Sequence, residues 1–185
     1  MTDKDILRRK CLERRDAMSD AERRQLSHKI VENIRRSEAY KNAESIMIYK
    51  VFRSEADLTE LEAFAAEDGK LLSFPYCTDR SSMLALHPLS ADAFAEGRYG
   101  ISAPIPESSA VVEPEDIDLV ICPCLGFDGT GARLGTGAGY YDRFLPKCKN
   151  ARIALAAFEL QRLEYIPTEP HDVGADIIYT DTDIQ

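Results

Sequence analysis

Six of the ten glycines, Gly126, Gly129, Gly131, Gly135, Gly137 and Gly139, fall in one window between an apolar run at Leu119–Pro123 and a helical pattern from Tyr140. Glycine tolerates φ > 0 and lets backbone amides approach a ligand closely. A strand, a glycine loop and a helix start in succession would aim free N–H groups and the positive end of a helix at one point, which is where a phosphate binds. The spacing of Gly135-Thr136-Gly137-Ala138-Gly139 fits neither the dinucleotide fingerprint nor a Walker loop, which needs Lys followed by Ser or Thr. By itself the loop stays open between an anion site and an ordinary connection or hairpin. Arg133 adds a planar fork suited to phosphate or carboxylate. Asp142, just past the last glycine, would either hold a magnesium ion bridging phosphates or simply complement a helix start. Lys4 and Arg8, four residues apart, share one face of a helix. Cys122-Pro123-Cys124 lacks two further ligands at any zinc spacing. His28, His87 and His171 are scattered, and only His171 has a carboxylate neighbour, Asp172. No nucleophile motif is present.

The elements that must position these residues are legible from periodicity. Ile6, Leu7, Cys11 and Leu12 mark a helix over about 3–17, and Ser19-Asp20-Ala21-Glu22 has capping-box spacing ahead of Leu26, Ile30 and Ile34. Ser45–Tyr49 predicts a strand. Leu58, Leu61, Phe64 and Ala65 predict a helix stopped at Gly69, and Lys70–Phe74 a second strand closed by Pro75, with a right-handed crossover between the two. Met83–Leu86, Leu119–Pro123, Ile153–Ala157 and Ile177–Thr180 read as further strands, and 140–145 as a short helix. From Ser90 to Glu115 no period holds, and loops with a short helix are expected there. Alternating β and α elements predict one α/β domain over 1–185, a three-layer sandwich whose largely parallel or mixed central sheet carries helices on both faces.

Composition narrows the function classes. With 185 residues, 44% apolar and 30% charged, the chain is neither fibrous nor a disulfide scaffold, and no stretch approaches the roughly 20 apolar residues of a membrane span. The net charge of −9 argues against nucleic acid as a partner. Residues 1–36 nevertheless hold 11 Lys or Arg against 7 Asp or Glu, either a solvated helical face or a local anion site. Five cysteines, an odd number, favour reduced thiols and a cytoplasmic location.

The run Leu134-Gly135-Thr136-Gly137-Ala138-Gly139-Tyr140-Tyr141-Asp142-Arg143-Phe144, preceded by Pro123-Cys124-Leu125-Gly126-Phe127-Asp128, closely resembles the signature of 5-formyltetrahydrofolate cyclo-ligases. Tyr49-Lys50-Val51-Phe52-Arg53-Ser54-Glu55-Ala56-Asp57 resembles the folate-side loop of that family, and Lys4-Asp5-Ile6-Leu7-Arg8 its N-terminal motif. The resemblance implies an α/β fold and an ATP- and Mg²⁺-dependent ligase acting on 5-formyltetrahydrofolate, with or without a polyglutamate tail. It implies ATP contacts from Lys4, Arg8, Arg133, Leu134, Gly135, Thr136, Gly137, Ala138, Gly139, Tyr140 and Tyr141, with Arg133 and Tyr140 at the chemistry. It implies folate contacts from Lys50, Val51, Glu55, Gly137, Gly139 and Tyr140, and magnesium ligands at Asp142 and Asp172. The chain departs from the family at Lys50-Val51-Phe52 and at Ala103, both on the folate side. Two other classes compete: a nucleotide- or folate-binding regulator without turnover, and a sugar-phosphate isomerase or transferase, whose turnover would need no ATP.

Overall fold

The computed structural model describes residues 2–185. Helix α1, Asp3–Asp16, opens on Thr2, which accepts from the Asp5 N–H while the Asp5 carboxylate accepts from the Thr2 N–H, a reciprocal cap that fixes where the basic helix begins. Helix α2, Asp20–Arg36, starts at Ser19, whose hydroxyl accepts from Glu22 N at 3.2 Å; among the described residues only that half of the capping box forms. A short helix α3, Glu38–Asn42, follows, which the sequence did not announce. Strand β1, Ser45–Met47, leads through a long loop to α4, Thr59–Glu67, and then β2, Leu71–Cys77. Next come β3 (Met83–Pro88), β4 (Phe94–Glu96), β5 (Ser102–Pro104), β6 (Ser109–Val112) and β7 (Leu119–Cys122). Strands β8 (Gly126–Phe127) and β9 (Arg133–Leu134), helix α5 (Tyr140–Phe144), β10 (Arg152–Ala156) and β11 (Ile177–Tyr179) complete the chain.

Seven strands form one sheet in the order β11-β10-β7-β1-β2-β3-β6. The first five are parallel, and β3 and β6 extend the sheet antiparallel. Period-two alternation divides the buried side chains between two faces. Ile46, Ile48, Leu119, Ile121, Ala154 and Ala156 pack with α2 and α4, whereas Met47, Val120, Cys122, Ile153 and Leu155 pack with α5. Helices therefore cover both faces, as the alternation of elements predicts. A third cluster of Cys11, Leu125, Ala132, Leu134 and Ile166 seats α1 on the β8–β9 hairpin.

Three expectations are corrected, and one alternative left open is decided. Pro75 does not close β2, which runs on to Cys77 and pairs with β3. The Ser73 carbonyl accepts from Ile48 N on the β1 side, so two residues later the missing Pro75 donor also faces that side, where β1 pairing has already ended at Ser73. The stretch from Ser90 to Glu115 contains the β4–β5 hairpin and β6, with single-turn helices only. Those strands are three or four residues long, too short to show a period. The first half of the glycine window is the β8–β9 hairpin. Finally, α5 has five residues, too few for a macrodipole to focus charge, and glycine backbone must supply any anion contacts instead.

Candidate active site

The sheet order reverses between β1 and β7: the chain moves from β1 to β2 in one direction and from β7 to β10 and β11 in the other. In doubly wound sheets the loops leaving the carboxyl ends of such strands diverge and leave a crevice, the usual ligand site. Here those loops are Ile48–Leu58 after β1 and Pro123–Gly139 after β7, the two segments that carry the motifs. The second is pinned from below. Asp128, buried, accepts from Thr130 N, Ala132 N and Ile166 N and so closes the hairpin turn. Gln161 donates to the carbonyls of Cys124 and Leu125 at 2.8 and 3.2 Å.

Beyond the hairpin the glycine loop is open. Gly137 and Gly139 have φ of 101° and 69°, conformations that L side chains rarely adopt. Among the described hydrogen bonds, no protein acceptor takes the N–H of Thr136, Gly137, Ala138 or Gly139, and the first three of these residues are exposed. Cations surround this ribbon. Arg8 donates from Nε to the Gly135 carbonyl at 3.0 Å, and its guanidinium lies under Gly137, where an added Cβ would meet Cζ at 3.4 Å. Arg143 donates to the Ala138 carbonyl at 2.8 Å and, across the crevice, to Ser81 O in the β2–β3 turn at 2.6 Å. Tyr140 joins it, donating to Asp79 O at 2.8 Å. Burial, then Tyr99, pushes the Tyr140 hydroxyl up to about 12, so it serves as a donor and not as a base.

Both aspartates named from sequence reach this end of the sheet, each held by a cation. Arg133 donates to Asp142 Oδ1 at 2.6 Å and Val173 N to the same oxygen at 3.3 Å. Lys4 donates to Asp172 Oδ2 at 2.6 Å, and Glu169 N adds a bond to that oxygen. Burial pushes the Asp172 carboxyl up, but the Lys4 and Glu169 bonds outweigh it and hold the group below its usual range. In each carboxylate the other oxygen has no hydrogen bond among the described residues. No cluster of three His, Cys, Asp or Glu side chains forms a metal cage among those residues. Two carboxylates, one oxygen free on each, suit magnesium, which binds through one or two protein carboxylates, water and substrate phosphates. Arg133 itself is 5% exposed and lies 5.5 Å from the Tyr141 ring, so it faces Asp142 and not solvent.

On the β1 side Phe52 N donates to the Glu55 carboxylate and Glu55 N to the Phe52 carbonyl, a tight turn with Arg53 at φ 54°. Burial raises the Glu55 carboxyl to about 7, while Arg15 and the Phe52 N–H pull it back. Lys50 is held within the protein: it bonds the Glu62 carboxylate at 2.6 Å, and its ammonium sits 4.2 Å from the Phe94 ring and 4.7 Å from Phe74. Val51 is exposed at the loop tip. A cavity of about 520 Å³ opens beside Tyr140, walled by Tyr76, Cys77, Arg98, Ala103 and Pro104. Sequence reading missed Arg143, Arg98 and the β2–β3 turn. Arg143 stood inside the quoted motif, four residues after Gly139, and that helical spacing was the available signal; the other two carry none.

A doubly wound α/β sheet with a glycine ribbon and two carboxylates near its switch point belongs to the architectures whose ligands sit outside the carboxyl ends of the strands. The sequence profile of the 5-formyltetrahydrofolate cyclo-ligase family matches residues 1–181, so the chain belongs to that family of ligases. Mouse 5-formyltetrahydrofolate cyclo-ligase is 28% identical over 95% of this chain and 93% of its own length, and the yeast protein of that name 29% over 82% of each. The fold agrees. The structure of Aquifex aeolicus 5,10-methenyltetrahydrofolate synthetase superposes with a TM-score of 0.88 at 31% identity, covering 98% of this chain and 91% of that one. A Mycoplasma pneumoniae synthetase gives 0.80 at 23% identity, a likeness of fold.

Proposed function

We propose that the chain closes 5-formyltetrahydrofolate to 5,10-methenyltetrahydrofolate at the expense of ATP, releasing ADP and phosphate, with magnesium as cofactor. The observation that carries the ATP half is the ribbon from Thr136 to Gly139, four N–H groups without protein acceptors among the described residues, beside Arg8 and Arg143. An amide-like formyl carbon is a poor electrophile. Attack of the formyl oxygen on the γ-phosphorus, with ADP leaving, gives an N5 iminium phosphate. N10 then adds to that carbon and loses its proton, and expulsion of phosphate leaves the amidinium ring. The work asked of the protein is positioning and charge stabilisation, and no covalent nucleophile is needed.

In this reading Lys4 and Arg8 meet the phosphates, and the loop from Arg133 to Tyr141 shapes the nucleotide side. Asp142 and Asp172 would hold magnesium, which when bound neutralises charge on the phosphates. Arg133 acts by orienting Asp142, which it holds through Nη2. Glu55 accepts from ring N–H donors of the pterin. Lys50, engaged by Glu62, shapes the folate loop, and Val51 reaches the substrate from the tip. Tyr140 donates at the junction of the two substrates. All five cysteines are free thiols, in keeping with the reducing cytoplasm. The test is to mix the protein with 5-formyltetrahydrofolate, ATP and magnesium and follow the methenyl chromophore. Its appearance should require all three components, and turnover without ATP would overturn the assignment.

A further inference from the structure

Arg15, in the last turn of α1, is 3% exposed and makes no ion pair among the described residues. Its Nε donates to Ser54 Oγ at 3.0 Å and its Nη1 to the Cys124 carbonyl at 3.3 Å. Ser54 donates onward to the Asp16 carboxylate. Ser54 precedes Glu55 in the loop after β1, and Cys124 lies in the loop after β7. One guanidinium thus ties together the two loops that leave the switch point, from the helix that also carries Lys4 and Arg8.

A desolvated cation bonded only to a hydroxyl and a carbonyl is costly, and apolar residues fill such a site with less loss. Its charge falls on the crevice. Glu55 is faced by Arg15 from α1, by Tyr141 from α5, and by Tyr49 and Cys124 from the ends of β1 and β7. Arg15 is the one cation in that set. We propose that Arg15 is a positioning residue for the folate half of the site: it locks the Ser54–Glu55 turn against the Cys124 carbonyl, so that the Glu55 carboxyl group is held where pterin N–H donors arrive. The proposal rests on the folate reading given above.

The test compares Arg15→Met, Arg15→Lys and Ser54→Ala with the parent by equilibrium binding of 5-formyltetrahydrofolate and, separately, of ATP with magnesium. Arg15→Met should weaken folate binding ~10-fold or more and ATP binding less than ~2-fold, with Arg15→Lys between parent and Met variant. The pH midpoint above which folate affinity is gained should move upward in Arg15→Met, because Glu55 loses the cation that favours its charge. Ser54→Ala, which removes one acceptor and no charge, should weaken folate alone by ~3-fold. It keeps the test valid if the Met variant does not fold. Equal weakening of both ligands, or an unmoved midpoint, would overturn the proposal. Hydrogen exchange of residues 52–56 separates this from failure of the folate reading. Faster exchange in the variants supports the lock even if the parent binds no folate, and unchanged exchange refutes it.

Discussion

Asp142→Ala tests whether the Arg133 pair is the strut of the nucleotide side. The two groups meet at 2.6 Å, with Arg133 5% and Asp142 22% exposed. Arg133 Nε already lacks a partner among the described residues, so truncating Asp142 leaves a guanidinium buried with little to compensate it, and Val173 N loses its acceptor too. Removing one partner of a buried pair costs about 3–5 kcal/mol. Asp142 keeps some solvent contact and water can follow into the gap, so the lower end, about 3 kcal/mol, applies. For a domain of this length each kcal/mol moves Tm by about 2–4 °C, giving a fall of about 6–12 °C by circular dichroism. Asp142→Asn, which keeps the acceptor and loses the charge, should fall roughly half as far. Arg133→Met combined with Asp142→Ala should regain most of the loss, since neither charge then remains buried. Turnover should vanish in all three, because the carboxylate assigned to magnesium is gone. A single variant within ~1 °C of the parent, or a double variant no better than the single, would refute the strut.

Lys4→Met with Arg8→Met should raise the KM for ATP steeply and leave that for the folate near its parent value; equal rises would contradict the division of the site. Glu55 has a folded pKa of about 7 against an ordinary 4.5, so it contributes stability that is complete below about pH 4.5 and lost as pH rises through about 7. Glu55→Gln should therefore flatten the stability curve across that window and be more stable than the parent at pH 8, while losing folate affinity. Urea titrations at several pH values would show it, and an unchanged slope would speak against a buried carboxyl. Gly131→Ala should destabilise far more than Gly129→Ala. Gly131 has φ 85° and an added Cβ would clash with the Ala175 carbonyl oxygen, whereas a Cβ at Gly129 meets nothing within 4 Å.

Legibility in the sequence followed the length and regularity of each element. α1, α2, β1, β7 and β10 were clear because each repeats an apolar period against polar neighbours or runs apolar throughout. β4, β5 and β6 were not, being three or four residues long and too short to show a period. Pro75 misled because its cost depends on which way one missing N–H points, and that is settled only once β1 is found to stop at Ser73. The glycine window was recognised as chemistry before it was recognised as two structures, a hairpin stabilised by Asp128 and an open ribbon after it.

The site shows a parallel limit. Motifs reveal residue types, and a charged residue type alone does not say whether its charge is spent inside the protein. Lys4, Lys50 and Arg133 all stood in the predicted contact set, and each is paired locally with a carboxylate, Asp172, Glu62 and Asp142; Lys4 reaches phosphate only where magnesium takes over Asp172. Arg143 and Arg15 belonged to no predicted set, yet each bridges two segments of the crevice. The difference is one of partners. A cation that bonds carbonyls keeps its charge for a ligand, and a cation that bonds a carboxylate lends its geometry instead. By that criterion Arg8 and Arg143 carry most of the field over the ribbon, since both hold it by carbonyls: Arg143 through Ala138 and Ser81, Arg8 through Gly135 with the half-exposed Asp5 as its counter-ion among the described residues.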